Sequence, residues 1–345
     1  MAMALSYCRS GSSDRSPGPV RPRSRRIALT IGAGITVTTV GLASCATAAS
    51  AGTTTARAYA VPAALRATPA PSTTGAAVPT GSTSALAGAA RATTASASLA
   101  ATSPSATFTA ALAASWRSYL AGRPGSVSVA LYDKISGRIV SVTKAPRSGW
   151  ETASTVKLDI LTDLLSKTGT NGKLSAWQLA QAKPMISISD NGAASALWRA
   201  AGGTAGMNTF YRALGMTATT AGSGGYWGLT QTTATDQLKV LRAVSYPGPF
   251  LSANARATAT SLLNTVIPSQ RWGLTAGVPS GVSVQLKNGW LPHGPGWVVN
   301  SLAHVHGAGR DYVMAVYTRD SATEQIGINT ISGLSRLAWS TVPAA

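Results

Sequence analysis

Residues 150–160 have the sequence WETASTVKLDI, and the fold expected for the whole chain follows from this stretch. Ser154 and Lys157 are three residues apart, and an apolar run with helical period follows them. Because three residues are just under one helical turn, the two side chains would share a face at the start of a helix. A serine hydroxyl becomes a nucleophile when a base takes its proton, and a lysine with a lowered pKa can be that base. The stretch therefore predicts a nucleophilic serine at a helix start.

The same spacing occurs a second time, at Ser141 and Lys144. The residues around this copy, 138–143, include β-branched residues that alternate with polar ones, which predicts a strand. In a strand, residues three apart point to opposite faces, so this serine and this lysine would not meet. We therefore assign the site to Ser154 and not to Ser141.

Two short polar segments further along the chain are candidates for the remainder of the site. Ser189-Asp190-Asn191 precedes a helical pattern, and an ordinary helix N-cap would also explain it. Lys287-Asn288-Gly289 follows a strand pattern, and a type I′ hairpin turn would also explain it. The residues PHGPG at 292–296 are a better turn signal, which favours keeping Lys287 on the strand. Glycine at 289 would then permit close approach of a ligand.

The order of these three motifs resembles that of the penicillin-recognising serine hydrolases, and within them the class A β-lactamase-like proteins. The resemblance covers about residues 107–340, although Asn288 stands where the family usually has Thr or Ser. It implies an α+β (mixed α/β) fold, with a five-stranded antiparallel sheet flanked by helices and an all-helical insertion. The order of elements, helix, two strands, helices, three strands and helix, suggests the same architecture.

The resemblance also implies roles for individual residues. Ser154 would be acylated, Lys157 would be the base or its relay, Ser189 would pass a proton to the leaving nitrogen, and Lys287 would supply positive charge. The backbone N–H groups of Ser154 and Trp290 would form the oxyanion hole. The residues expected to bind substrate are Asn191, Asn288, Gly289 and Trp290.

The chain departs from class A enzymes in the loop that follows residues 189–191. Those enzymes carry a glutamate there that drives hydrolysis of the acyl-enzyme, whereas the glutamates of this chain are Glu151 and Glu324. Residues 221–230 are glycine-rich and hold no carboxylate. Asp236 follows, but its spacing from Thr233 is typical of a capping box.

We therefore expect β-lactams or D-Ala-D-Ala-type amides to acylate the protein, with slow or altered deacylation. The substrate would be a small molecule or a peptidoglycan peptide. A D,D-peptidase-like or transpeptidase-like acyl transfer is an alternative, and so is a cell-envelope binding protein without turnover. A zinc site is a further alternative, because His304 and His306 share a face of a predicted strand. Strand-surface histidines are commoner than metal ligands, so we predict no metal.

The first hundred residues differ in composition from the rest of the chain. Residues 1–45 combine an arginine-rich start, including Arg25-Arg26, with a mild apolar run. This pattern is typical of an export signal, by the twin-arginine or the general secretory route. The end of this segment, LASC at 42–45, resembles a lipobox, so Cys45 would be lipidated, unless cleavage occurs at a small-residue site just after it. Residues 46–105 are rich in Ala, Thr, Ser and Pro, which predicts a disordered tether.

The remaining residues, 106–345, would form the hydrolase domain. We place a sheet subdomain at about 106–168 and 265–345 and a helical subdomain at about 169–264. The two cysteines, Cys8 and Cys45, precede this domain, so it has neither disulfides nor thiolate chemistry.

The composition also bears on partners and location. The net charge is +19, but Lys and Arg are scattered, so we expect no nucleic-acid partner. We predict a monomer without a cofactor, outside the cell or in the cell envelope. It would contact a membrane only through the export signal or a lipid anchor.

Overall fold

The computed structural model describes residues 104–345, with side chains from Thr107 onward. The predicted export signal, the lipobox at Cys45 and nearly all of the predicted tether lie outside this range. The strands of the described part are β1 (Ser126–Asp133), β2 (Ile139–Lys144), β3 (Trp150–Glu151), β4 (Gln231–Thr232), β5 (Ser283–His293), β6 (Gly296–Gly307) and β7 (Arg310–Ser321). The helices are α1 (Pro104–Ala121), α2 (Val156–Ser166), α3 (Ala176–Ser187), α4 (Asn191–Ala200), α5 (Gly203–Ala213), α6 (Ala234–Ser245), α7 (Ala253–Leu263) and α8 (Glu324–Thr341).

The central sheet has five strands in the order β2-β1-β7-β6-β5, and every neighbouring pair is antiparallel. This confirms the predicted sheet. The strands β5, β6 and β7 are each longer than the sequence pattern indicated. His293 pairs with Gly296, so the hairpin turns at residues 294–295 and the alternative turn at Asn288-Gly289 is wrong.

Helices cover both faces of the sheet. The first and last helices, α1 and α8, pack on each other and on β2, β6 and β7, while α6 packs against β1, β6 and β7. The sequence pattern predicts an apolar face on the first helix, formed by Leu112, Trp116 and Leu120, and all three residues are buried in α1. Trp116 Nε1 donates to Leu334 O at 3.1 Å and so joins α1 to α8. Removal of this indole should cost about 3–5 kcal/mol.

The glycine cluster at 202–206, which the sequence pattern places between two helices, does lie at a helix boundary, because α4 ends at Ala200 and α5 begins at Gly203. Two other details of the predicted helices need correction. The apolar pattern of the last helix predicts four core positions, Ile326, Ile328, Leu334 and Leu337. Of these only Leu334 is buried in α8, together with Ile331 and Ala338, and the other three are half-buried. The helix α7 was not predicted, because much of its buried face is small, with Ala255 and Ala259 beside two leucines. Small residues produce only a weak apolar stripe.

The helix α2 is enclosed by the rest of the domain. Every residue from Val156 to Leu165 is buried, and α2 packs against α3, α4, α5, α6 and α7. The buried residues include Lys157, Asp159 and Asp163, whose polar groups need partners inside the protein. The 3₁₀ turn that precedes α2 packs against β5 and β6, so the start of α2 lies where the helices meet the sheet. No helix in the described range is long and apolar enough to span a bilayer.

Candidate active site

Ser154 lies in a single 3₁₀ turn, Ala153–Thr155, that leads into α2. Ser154 therefore lies at a helix start, as predicted, although this first turn is a 3₁₀ turn. Ala153 has a φ of +48°, a conformation that L-residues rarely adopt. Thr155 joins this turn to the sheet. Its Oγ1 donates to Thr152 O at 2.8 Å and lies 2.9 Å from the hydroxyl of Tyr317 on β7.

The amine of Lys157 is the centre of the site. Its Nζ lies 3.0 Å from Ser154 Oγ, 2.9 Å from Ser189 Oγ and 2.8 Å from Asn191 Oδ1. It also donates to Ser189 O at 2.5 Å. The side chain is fully buried. Burial lowers the pKa of Lys157 to about 7, and the charge of Asp190 opposes this shift. Much of this amine is therefore neutral at neutral pH and able to accept a proton.

The segment 189–191 forms both a helix cap and part of the site. Asp190 is the N-cap of α4, and its Oδ1 accepts from Ala193 N at 2.7 Å. Ser189, just before it, has a φ of +60°. Ser189 lies between α3 and α4 with this left-handed backbone conformation, and its hydroxyl contacts Lys157. The N-cap interpretation is correct for Asp190 alone, while Ser189 and Asn191 contact the lysine.

Lys287 contacts Ser189 from the side of the sheet. It lies on β5, its Nζ donates to Ser189 Oγ at 3.1 Å, and it also donates to Asn288 O at 2.7 Å. Burial, together with the charge of Lys157, holds the pKa of Lys287 well below its usual range. One hydroxyl therefore bridges two buried amines, and their mutual repulsion disfavours charge on both at once.

Gly289 is required by the close approach of β5 to the serine turn. A Cβ at this position would lie 2.6 Å from Ser154 N, 2.7 Å from Thr155 N and 2.9 Å from Thr152 O. These are backbone atoms, so they cannot move aside as a side chain could. The glycine thus brings the backbone of an edge strand against the turn that carries the nucleophile.

The substrate-binding role predicted for the Asn288 side chain is wrong. Its Nδ2 donates to Gln270 O at 2.8 Å and to Trp272 O at 3.0 Å. The residue is 1% exposed, so it holds the loop before β5 and does not face a ligand. This outcome agrees with strand alternation, because residue 288 points away from the face shared by Lys287 and Gly289. Trp290 is half-buried, and its ring packs edge-on against Trp272 at 5.7 Å between centroids.

Trp227, which the sequence analysis did not select, also contacts the lysine. Its ring centroid is 4.9 Å from Lys157 Nζ, and its Nε1 donates to Ser195 Oγ of α4 at 3.1 Å. It lies in the glycine-rich stretch 221–230. The adjacent aromatic residues Tyr226 and Trp227 in a glycine-rich loop were the available sequence signal.

Asp236 and Glu151, the acidic residues considered above as possible bases, form hydrogen bonds or ion pairs with other residues. Asp236 N donates to Thr233 Oγ1 at 3.2 Å, so Thr233 is the predicted N-cap, but the reciprocal side-chain bond of a capping box is not made. The Asp236 carboxylate accepts from Ala218 N at 2.8 Å and from Lys239 Nζ at 2.9 Å. Glu151 forms an ion pair with Arg319. Neither carboxylate is among the hydrogen-bond partners of Lys157.

The two histidines considered as zinc ligands pack on each other. The rings of His304 and His306 stack at 4.8 Å, and His304 Nε2 lies 2.8 Å from Asp311 Oδ1. Within residues 104–345 no group of three or more His, Cys, Asp or Glu side chains could hold a metal ion.

Comparison with protein families gives one match that spans half of the chain. A sequence model described as the Beta-lactamase enzyme family matches residues 164–342. The matched range includes the segments 189–191 and 287–289 and begins after Ser154 and Lys157.

Among curated relatives, a protein named "Putative lipoprotein LppW" occurs in Mycobacterium tuberculosis and Mycobacterium bovis. It is 28% identical over 221 residues, which cover 61% of this chain and 69% of the relative.

Several solved structures share the fold. A β-lactamase from Xanthomonas campestris pv. campestris superposes with a TM-score of 0.57 at 18% identity, covering 68% of this chain and 99% of that protein. An ancestral class A β-lactamase gives 0.56 at 22% identity, covering 66% and 99%. A β-lactamase from Desulfarculus baarsii gives 0.56 at 22% identity, covering 69% and 99%. These likenesses concern the fold: a five-stranded antiparallel sheet between helices.

Proposed function

Since the chain belongs to the β-lactamase enzyme family, we propose that it is a serine hydrolase in which β-lactams or D-Ala-D-Ala-type amides acylate Ser154. One observation carries this proposal: Ser154 Oγ lies 3.0 Å from the amine of Lys157, whose pKa burial lowers to about 7. A buried lysine that is partly neutral and hydrogen-bonded to a serine hydroxyl has the geometry and the pKa of a general base.

Acylation begins when Lys157 Nζ accepts the hydroxyl proton while Ser154 Oγ bonds to the substrate carbonyl carbon. The backbone N–H groups of Ser154 and Trp290 would donate hydrogen bonds to the carbonyl oxygen and so stabilise the negative charge that develops on it. As the C–N bond breaks, Ser189 Oγ passes a proton from Lys157 to the leaving nitrogen. Lys287 Nζ, which donates to Ser189 Oγ at 3.1 Å, would hold this hydroxyl in place for the relay. Asn191, which accepts a hydrogen bond from Lys157 through Oδ1, would donate from Nδ2 to a substrate carbonyl.

Deacylation is expected to be slow. In the described part of the chain, the hydrogen bonds of Lys157 go to hydroxyl, carbonyl and amide oxygens, and none goes to a carboxylate. Residues 221–230 also hold no carboxylate, so a water near the ester would lack the glutamate base that class A enzymes carry in this loop. This absence favours a second candidate function, in which an amine accepts the acyl group, as in a transpeptidase.

The location is proposed on separate grounds. We propose export and lipid attachment at Cys45, supported by the lipobox-like residues 42–45 and by the name of the mycobacterial relative. In the native host, Cys45→Ala should abolish labelling with a radioactive fatty acid and release the protein into the soluble fraction. Equal labelling of both forms would contradict lipid attachment at this residue.

The acylation proposal is tested by intact mass spectrometry after incubation with a β-lactam. We expect the wild-type protein to gain the mass of one β-lactam and to retain it for minutes to hours. Ser154→Ala should gain nothing. The matched control is Ser141→Ala, which changes the other Ser-x-x-Lys copy and should be acylated like the wild type. An adduct on Ser154→Ala would contradict the assignment, and fast hydrolysis of nitrocefin would contradict slow deacylation.

A further inference from the structure

The indole of Trp227 completes the surroundings of the Lys157 amine. An amine nitrogen has three directions for hydrogen bonds besides its bond to Cε. In Lys157 four oxygens lie within hydrogen-bond distance of the amine, Ser154 Oγ, the two oxygens of Ser189 and Asn191 Oδ1, so all three directions are taken. The Trp227 ring lies against the same nitrogen, 4.9 Å from its centroid. Protein atoms therefore occupy the positions around the amine that a water molecule would need.

The loop that carries Trp227 is held on both sides. Gly222 N donates to Thr230 Oγ1 at 3.0 Å, and Thr204 Oγ1 donates to Gly222 O at 2.6 Å. Thr152 N donates to Thr230 O at 2.9 Å, which joins the loop to the residues just before Ser154. A Cβ at position 222 would lie 2.1 Å from Tyr226 O, so this close turn requires glycine.

The ring itself has a fixed orientation. Its Nε1–H is donated to Ser195 Oγ of α4 at 3.1 Å, so the indole is held between the loop and the helix that begins at Asn191. A half-buried tryptophan that is anchored at both ends keeps its position at low entropic cost.

We propose that Trp227 is a positioning residue that excludes the deacylating water from the acyl-enzyme; this inference rests on the proposed acylation of Ser154. In hydrolysis, a water oxygen bonds to the ester carbonyl carbon and one water proton passes to a base. The C–O bond to Ser154 then breaks, and the proton returns to Oγ. Lys157 is the base in contact with Ser154, and the indole takes the space beside its amine. Exclusion of water from a closed site protects a reactive intermediate from hydrolysis.

The experiment compares acylation and deacylation in the full-length protein with a fluorescent penicillin. Trp227→Ala should shorten the lifetime of the adduct by about tenfold, because water gains access to the ester. The acylation rate, compared at a pH where Lys157 is neutral in every variant, should stay within about threefold, because the Ser154–Lys157 contact does not involve the indole. Trp227→Phe keeps an aromatic ring over the lysine and should restore most of the lifetime. Tyr226→Ala, a change at an exposed neighbour on the same loop, should leave both rates unchanged.

The outcomes separate this inference from the proposed function. A wild-type adduct whose lifetime is the same in Trp227→Ala overturns the role of Trp227 and leaves the acylation proposal intact. An equally short lifetime in Trp227→Phe and Trp227→Ala also overturns the role of Trp227, because an aromatic ring at this position would then not exclude water. The absence of a wild-type adduct overturns both. Thermal unfolding of each variant checks folding, and Trp227→Leu, which keeps part of the apolar volume, replaces Trp227→Ala if the latter does not fold.

Discussion

The chain contains the spacing Ser-x-x-Lys twice, and the two copies have different surroundings. On β2, Ser141 is exposed and the amine of Lys144 donates to the carbonyl of Arg123. At the start of α2, Ser154 and Lys157 lie 3.0 Å apart, and the lysine is fully buried. The four-residue pattern alone therefore does not make a serine and a lysine a nucleophile and its base. The backbone conformation brings the second pair together, and burial changes the basicity of its lysine.

The largest expected difference between the copies is in their lysines. Lys157→Met keeps the volume of the side chain but removes the amine, and the acylation rate by a β-lactam should fall by about 10²–10⁴-fold, the usual contribution of a general base. Lys144→Met removes the amine of the other copy and should change this rate by less than about twofold, because β2 does not contact Ser154. Stopped-flow measurement with a fluorescent penicillin gives both rates. Equal effects of the two changes would show that Lys157 is not the general base for acylation.

The second test addresses the strand that closes on the serine turn. Gly289→Ala should destabilise the domain by about 2–3 kcal/mol, because its Cβ would meet backbone atoms of the turn, and it should abolish most acylation. Gly248→Ala is the matched control, since a Cβ there meets nothing within 4 Å. Urea unfolding followed by circular dichroism measures the difference in the free energy of unfolding. Comparable stability of the two variants would show that β5 does not press on residues 152–155.

The third test uses pH. Acylation requires neutral Lys157, whose pKa is lowered to about 7. The acylation rate should therefore be level above about pH 8 and fall about tenfold per pH unit below about pH 6, as the amine becomes protonated. A rate that stays constant between pH 5 and 8 would exclude this lysine as the base. Ser141→Ala should show the same profile as the wild type.

The smallest expected effect is on stability. The pKa of Lys157 is lowered from 10.5 to about 7 by folding, so between these values the unfolded chain binds more protons than the folded one. The free energy of unfolding should therefore rise with pH from about 7 to 9, by at most about 1.4 kcal/mol per pH unit from this group. Lys157→Met should have a smaller slope than the wild type, and Lys144→Met the same slope. Identical slopes in all three proteins would show that Lys157 is not deprotonated by burial.

Much of the site could be predicted because each motif has a local signature. The period of the apolar residues after Lys157 indicated a helix, and the alternation before Lys287 indicated a strand. Asn288 was assigned wrongly because the resemblance transferred a role to the motif as a whole, whereas alternation along β5 turns this side chain toward Gln270 and Trp272. Trp227 was missed because its contact with the lysine joins residues 70 positions apart, and no periodic pattern marks such a contact.

The amino-acid sequence alone indicated the order of the strands in the central sheet and of most helices, although not α7, and it gave the residue types available for chemistry. Local periodicity and turn residues are sufficient for this, because they depend on neighbours within a few positions. Only the tertiary structure decided that Ser189 lies between the amines of Lys157 and Lys287, although it is 32 and 98 residues away from them. It also decided that burial lowers the pKa of both lysines. Convergence and desolvation arise from packing α2, α4 and β5 around one point, and no single segment contains that information.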